Sequence, residues 1–153
     1  MSVIKPSALK KALSGKRILV DTNIIIYLTD SIVPYNSLSR LLFEMVEKED
    51  VYAVFSIISI AEVMQGPIKN GLIKNALAVK NYLMNFPNSY CQEITADTLK
   101  QIGMDTRIQW SHLRTMDTLI IASGIINNVD LIVSNDIHFK KALAKEFILT
   151  FDS

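Results

Sequence analysis

A single cysteine, Cys91, stands in this chain of 153 residues. It can form neither an internal disulfide nor a thiolate metal site, which excludes disulfide scaffolds and zinc fingers and suits a reducing compartment. Long apolar runs are missing too. Although half of the residues are apolar, stretches such as Ile24 to Leu28 and Thr118 to Ile126 fall well short of the ~18 to 20 residues a membrane helix requires. No membrane association is expected. Lys5, Lys10 and Lys11 are spread through a mixed segment with no apolar run behind them, unlike a secretory signal, so the expected location is the cytoplasm. With four prolines, five glycines and no low-complexity tract or repeat, the chain has neither a linker nor the composition of a disordered regulator. Its length and apolar content fit one domain with its own core.

Charge of one sign is also lacking overall, since the formal net charge is +1, but the charges are unevenly placed. Lys5, Lys10, Lys11, Lys16 and Arg17 precede the first acid, whereas Glu44, Glu47, Glu49 and Asp50 form a short acidic stretch. Either run alone reads as a solvated helix face.

Periodicity divides the chain into alternating elements. Residues 1–16 read as a basic extension whose helix, Ser7 to Ser14, is introduced by Pro6 and closed by Gly15. Residues 17–153 read as a single domain. Arg17 to Asp21, Val51 to Ser56, Ser89 to Ile94, Leu131 to Val133 and Phe147 to Thr150 read as strands, with Ser89 to Ile94 at an edge. A short helical Ile24 to Leu28 follows the first. Leu38 to Val46, Ser59 to Gln65, Leu72 to Met84, Ala96 to Ile108, Thr115 to Asn127 and a basic segment around Lys140 to Lys145 read as helices. Ser59-x-x-Glu62 has the form of a capping box and Gly66-Pro67 that of a stop, which puts Glu62 in a first turn. Strands alternating with helices imply an α/β fold, a central, mostly parallel sheet of four to five strands flanked by helices.

In such sheets functional groups collect beyond the carboxyl ends of the strands. Asp21 and Asp136 are expected there directly. Glu62 and Asp117 are expected in the first turns of helices starting from the same edge, although 41, 55 and 19 positions separate the four acids in turn. Each has a structural use as a cap, a dipole partner or a turn residue. Four at one edge repel one another, at ~4 Å by ~1 kcal/mol per pair in water and ~4 at an effective dielectric near 20, so the set calls for a cation. Oxygen-only ligation points to Mg²⁺ or Mn²⁺. The chemistry suggested is phosphodiester hydrolysis, in which a divalent ion orients water and neutralises phosphate charge. With only His112 and His138 present, a histidine acid/base pair is a poor alternative.

Four segments carry a family resemblance: Ile18-Leu19-Val20-Asp21-Thr22-Asn23, Ser59-Ile60-Ala61-Glu62-Val63-Met64-Gln65-Gly66, Met116-Asp117-Thr118-Leu119-Ile120-Ile121-Ala122 and Leu131-Ile132-Val133-Ser134-Asn135-Asp136. In order and spacing they resemble the motifs of PIN-domain ribonucleases, particularly VapC-type toxins. The resemblance implies a PIN-like fold and an endoribonuclease dependent on Mg²⁺ or Mn²⁺. Asp21, Glu62, Asp117 and Asp136 would be its catalytic and metal-binding quartet, with Thr22, Asn23 and Asn135 in support. It further implies an RNA substrate, a small antitoxin protein as partner and the option of a homodimer. His138 stands before Phe139 where the family often has an acid, and Ser134 where Thr is frequent. Arg114, just before Asp117, is a candidate phosphate contact, and Trp110 is better read as core. A free-standing RNA-processing nuclease and a non-catalytic PIN-like module remain alternatives. A haloacid dehalogenase-type phosphatase would want a second Asp where Asn23 stands.

Overall fold

The computed structural model describes residues 2–153. Along the chain run α1 (Pro6–Leu13), β1 (Arg17–Val20), α2 (Thr22–Thr29), α3 (Asn36–Glu47), β2 (Tyr52–Ser56), α4 (Ile57–Lys69) and α5 (Ile73–Met84). Then come β3 (Ser89–Gln92), α6 (Ala96–Leu99), α7 (Thr115–Ile125), β4 (Leu131–Val133), α8 (Ile137–Ala142) and β5 (Ile148–Leu149). The five strands form one sheet, ordered β3-β2-β1-β4-β5, and every pairing is parallel. Parallel strands must be covered on both faces, and the apolar residues sort accordingly. Ile18, Val20, Ala53, Phe55 and Val133 belong to one buried cluster, whereas Leu19, Val54 and Ile132 belong to another. Among the described residues no helix is long and apolar enough to cross a membrane.

Leu9 and Leu13 of α1 are fully buried in the first cluster, so the helix lies on the domain with its lysines outward. Its approach is fixed by the other end of the chain, where the Ile4 amide donates to the Phe151 carbonyl at 2.8 Å.

Three helices depart from expectation. α4 is capped by Ser56, whose hydroxyl accepts the Ile58 amide at 3.2 Å, so there is no loop after β2 and no capping box at Ser59. Glu62 therefore falls in the second turn. The helix also runs through Gly66-Pro67 rather than stopping there, and Pro67 leaves the Val63 carbonyl without its donor four residues on. It ends at Gly71, whose φ of 74° lets the Leu72 and Gly71 amides close on the carbonyls of Pro67 and Ile68 at 2.8 and 3.0 Å. The expected helix from Ala96 to Ile108 is a single turn, Ala96–Leu99, opened by a reciprocal Thr95–Thr98 capping box. Beyond it Gly103 takes a φ of 86°, and Arg107 grips Asp105 through its Nε and Nη2 at 3.0 and 2.7 Å, which favours turns over a continuing helix. The basic helix begins earlier than its lysines suggest, at Ile137, because Asp136 caps it.

Candidate active site

From β1 the chain moves outward on one side to β2 and β3, then returns to place β4 and β5 on the other. The connections leaving β1 and β4 thus diverge, which opens a crevice at their carboxyl ends. Asp21 follows β1 and Asp136 lies three residues past β4, so the two flank this switch point.

Asp21 is only 4% exposed. One oxygen accepts the Thr22 amide at 2.7 Å, capping α2, and the other accepts the Ser134 hydroxyl at 2.6 Å. Burial nevertheless dominates and pushes its pKa up to about 7, with the charges of Asp136 and Glu62 adding to the rise against those two hydrogen bonds. The three carboxylates thus share one electrostatic field. Glu62 is exposed, but its Oε1 accepts the Thr22 hydroxyl at 2.6 Å, and that hydroxyl also lies 3.0 Å from Ser59 Oγ. Asp136 uses Oδ1 to accept the His138 amide at 2.7 Å, and its own amide donates to Ser134 Oγ at 3.0 Å. Ser134 is therefore the joint between the first and last acids.

Asp117 lies in the first turn of α7, where the helix dipole favours a carboxylate, and is 7% exposed. It accepts Nε of Arg114 at 3.3 Å, while the Arg114 side chain is 74% exposed and free to turn outward. Glu62, Arg114, Thr115, Met116 and Asp117 line one open cavity of about 350 Å³. Glu62 is thus common to both halves of the site, Asp21 and Asp136 on one side and Asp117 on the other. Among the described residues no three acidic, histidine or cysteine side chains stand close enough together to hold a metal ion in this arrangement. The edge presents carboxylates in linked pairs rather than a closed cage.

The supporting amides tie the motifs together. Asn23 Oδ1 accepts the Asn135 backbone amide at 3.2 Å, bridging the first and last motifs. Sequence reading missed the working of Ser134 and Ser59. A serine at the end of a buried strand was the available signal for Ser134, since a polar group there needs a partner. Trp110 packs at the edge of the second cluster, as the core reading expects, and its indole nitrogen is buried with no partner.

The PIN domain family model matches residues 18–144. No curated protein matches the sequence significantly. Among solved structures the chain is similar to one in the VapBC2 complex of Rickettsia felis bound to a promoter DNA fragment, at 20% identity and a TM-score of 0.61, covering 89% of this chain and 99% of that one. It is also similar to Mycobacterium tuberculosis VapC20, described as a sarcin-ricin loop cleaving toxin, at 14% identity and a TM-score of 0.58, covering 81% and 93%. A third is DNA-bound VapBC from Salmonella typhimurium, at 14% and 0.60, covering 89% and 98%. Identities this low speak for the fold alone, but the family match spans most of the chain, from the middle of β1 past α8, and by it this protein belongs to the PIN domain family.

Proposed function

We propose that the protein is a VapC-type toxin, an endoribonuclease that hydrolyses RNA phosphodiester bonds with Mg²⁺ or Mn²⁺ and is held in check by a small antitoxin. The observation that carries this reading is Asp21, a nearly buried acid whose pKa of about 7 reflects burial and two neighbouring carboxylates. An acid in that state gains most from a cation. The donor set fits a hard divalent ion, since every candidate ligand on the edge is a carboxylate oxygen and no thiol or imidazole takes part. Asp21, Glu62, Asp117 and Asp136 would hold it, after side-chain movement that joins the two halves. Bound there, such an ion supplies charge neutralisation for the phosphate and an acidified water.

The chain's own groups do the rest. Thr22 holds Glu62 through its hydroxyl, which limits the positions that this carboxylate takes at the site. Ser134 holds Asp21 and the backbone of Asp136 in one frame. Arg114 lies against Asp117 through Nε and is otherwise exposed, so its guanidinium is available for an RNA phosphate beside the site. The antitoxin reading draws on the toxin–antitoxin complexes among the structural neighbours. It also draws on the surface between α4 and α5, where a cavity of about 660 Å³ is lined by Val63, Pro67, Leu72, Val79 and Tyr82, and Leu77 is exposed nearby.

The test is incubation of the purified protein with total RNA, with and without Mn²⁺, beside Asp21→Asn. Cleavage that requires both the ion and Asp21 supports the reading. Cleavage by Asp21→Asn at the wild-type rate overturns it.

A further inference from the structure

The Asn135-Asp136 loop is fixed partly by residues beyond the family match, Phe151 and Asp152 at the end of the chain. Asn135 is half-buried, and all of its side-chain hydrogen-bonding capacity is used. Oδ1 accepts the backbone amides of Phe151 and Asp152 at 3.0 and 3.1 Å, and Nδ2 donates to Tyr27 Oη at 3.2 Å and to Asp152 Oδ2 at 3.1 Å. The other oxygen of Asp152 accepts the Tyr35 hydroxyl at 2.7 Å, and the rings of Tyr27 and Tyr35 stack at 4.5 Å. The terminal segment is held in turn by the amino-terminal one, through Ile4 to Phe151 and an isolated antiparallel bridge between Val3 and Asp152.

Asp152 is a fifth acid near the site. Its charge reaches Tyr27 together with those of Asp21 and Asp136, and burial together with these charges raises the Tyr27 pKa above its ordinary value. Yet both of its oxygens are occupied, one by the Tyr35 hydroxyl and the other by the Asn135 amide, and neither is bonded to Asp21, Glu62, Asp117 or Asp136. The ionised carboxylate accepts from the Tyr35 hydroxyl and the Asn135 amide at once. Asn at this place would keep an acceptor for Asn135 and could donate to a Tyr35 hydroxyl turned round to accept, so Ala is the substitution that removes both contacts.

We propose that Asp152 is a positioning residue: with Tyr35 it clamps the Asn135 side chain and so holds Asp136 at the switch point in the orientation that serves the metal site. The inference rests on the functional reading above, in which Asp136 is a ligand. The terminal segment, itself tied to the amino-terminal one, sets the last acid without contributing a ligand of its own, the manner in which groups behind a metal site tune its affinity.

The experiment compares wild type, Asp136→Asn, Asp152→Ala and Tyr35→Phe. Mn²⁺ affinity is measured by calorimetry, RNA cleavage as a function of Mn²⁺, and folding by circular dichroism. The clamp predicts that Asp152→Ala keeps its circular dichroism, binds Mn²⁺ about 10-fold more weakly or worse, and needs correspondingly more Mn²⁺ for half-maximal cleavage, because outer groups of a metal site carry effects of about 10 to 100-fold. Tyr35→Phe, which removes one donor and leaves the carboxylate in place, should weaken Mn²⁺ at least threefold and serves as the deciding variant if Asp152→Ala does not fold. Wild-type Mn²⁺ affinity in a folded Asp152→Ala protein, or in Tyr35→Phe in its place, overturns the clamp. Absence of Mn²⁺ binding by the wild type, or wild-type affinity in Asp136→Asn, instead overturns the metal reading on which the clamp depends.

Discussion

Replacing Asp21 by Asn should abolish RNA cleavage and, in metal-free buffer above neutral pH, make the protein more stable. The side chain fits isosterically. Its oxygen can still accept the Thr22 amide, and its NH₂ can donate to Ser134 Oγ, which now receives rather than gives a hydrogen bond. What disappears is the burial of a charge. The folded-state pKa of about 7 lies above the ordinary value of 3.8, so between those two pH values the folded protein holds a proton that the unfolded chain has released. Stability therefore falls as pH rises through this window, and the loss is complete only above pH ~7. At fixed geometry the shift corresponds to about 4 kcal/mol. Relaxation and water entry around a buried ionised acid recover part of it, which leaves a gain on the order of 2 kcal/mol for the amide. For a chain of this size that is a melting temperature higher by about 4 to 8 °C.

The assay is thermal melting of both proteins in chelator across pH 4 to 8. The gap should be near zero at pH 4, where Asp21 is protonated, and widest at pH 8. Millimolar Mn²⁺ should then raise the wild type and not the variant, closing or reversing the gap, since a ligand stabilises only the protein that binds it. A variant that melts below the wild type at pH 8 without metal, or a gap that does not depend on pH, refutes the account of Asp21.

Glu62→Gln and Asp117→Asn should each abolish cleavage with the fold intact, because each removes charge from one half of the site; full cleavage by a folded Asp117→Asn protein contradicts its assignment. Asp136→Asn keeps an acceptor for the His138 amide, so a drop in rate of more than ~10-fold, about 1.4 kcal/mol, separates a ligand from a mere helix cap in single-turnover measurements. Gly124→Ala should lower the melting temperature by several degrees, since its Cβ would sit 3.0 Å from Leu19 Cδ2 and 3.2 Å from Val129 Cγ2, an overpacking cost of about 1 to 3 kcal/mol. A melting curve at or above the wild type's would show that the contact between α7 and β1 yields.

The sheet was legible because every strand but the edge strand β3 is a short apolar run closed by a polar residue, and the helices between the strands leave little but parallel pairing. Boundaries were less legible where two signals compete. Ser59-x-x-Glu62 has the form of a cap, yet the hydroxyl that caps α4 is Ser56, the last residue of a strand, and a junction without a loop leaves no composition to read. The single turn Ala96–Leu99 was overextended because Leu99 and Ile102 keep a helical spacing, while the left-handed Gly103 and the Asp105–Arg107 pair that break it act only in three dimensions. Asp21 and Asp136 stood out by their place after strands, and Asp117 by its place in a first turn, where it is found. The hydroxyls between them did not, and neither did Asp152, whose contacts to Asn135 and Tyr35 span 17 and 117 positions.

The basic amino-terminal helix raises a question that deletion cannot answer. Leu9 and Leu13 are fully buried and tied into the cluster that includes Val133 of β4, so removing the helix would strip cover from the core beside the site. Truncating Leu9 alone to Ala should cost about 2 to 4 kcal/mol. Charge can be removed without disturbing that contact, because Lys5, Lys10 and Lys11 are all exposed. If these lysines add a non-specific term to RNA binding, affinity for a single strand should fall with salt at a logarithmic slope of ~0.7 per phosphate contacted. Replacing all three by Gln should then flatten that slope by about one to two while the melting temperature and the metal requirement of cleavage stay as they are. An unchanged slope would assign the helix to docking alone, its lysines only keeping its outer face in water.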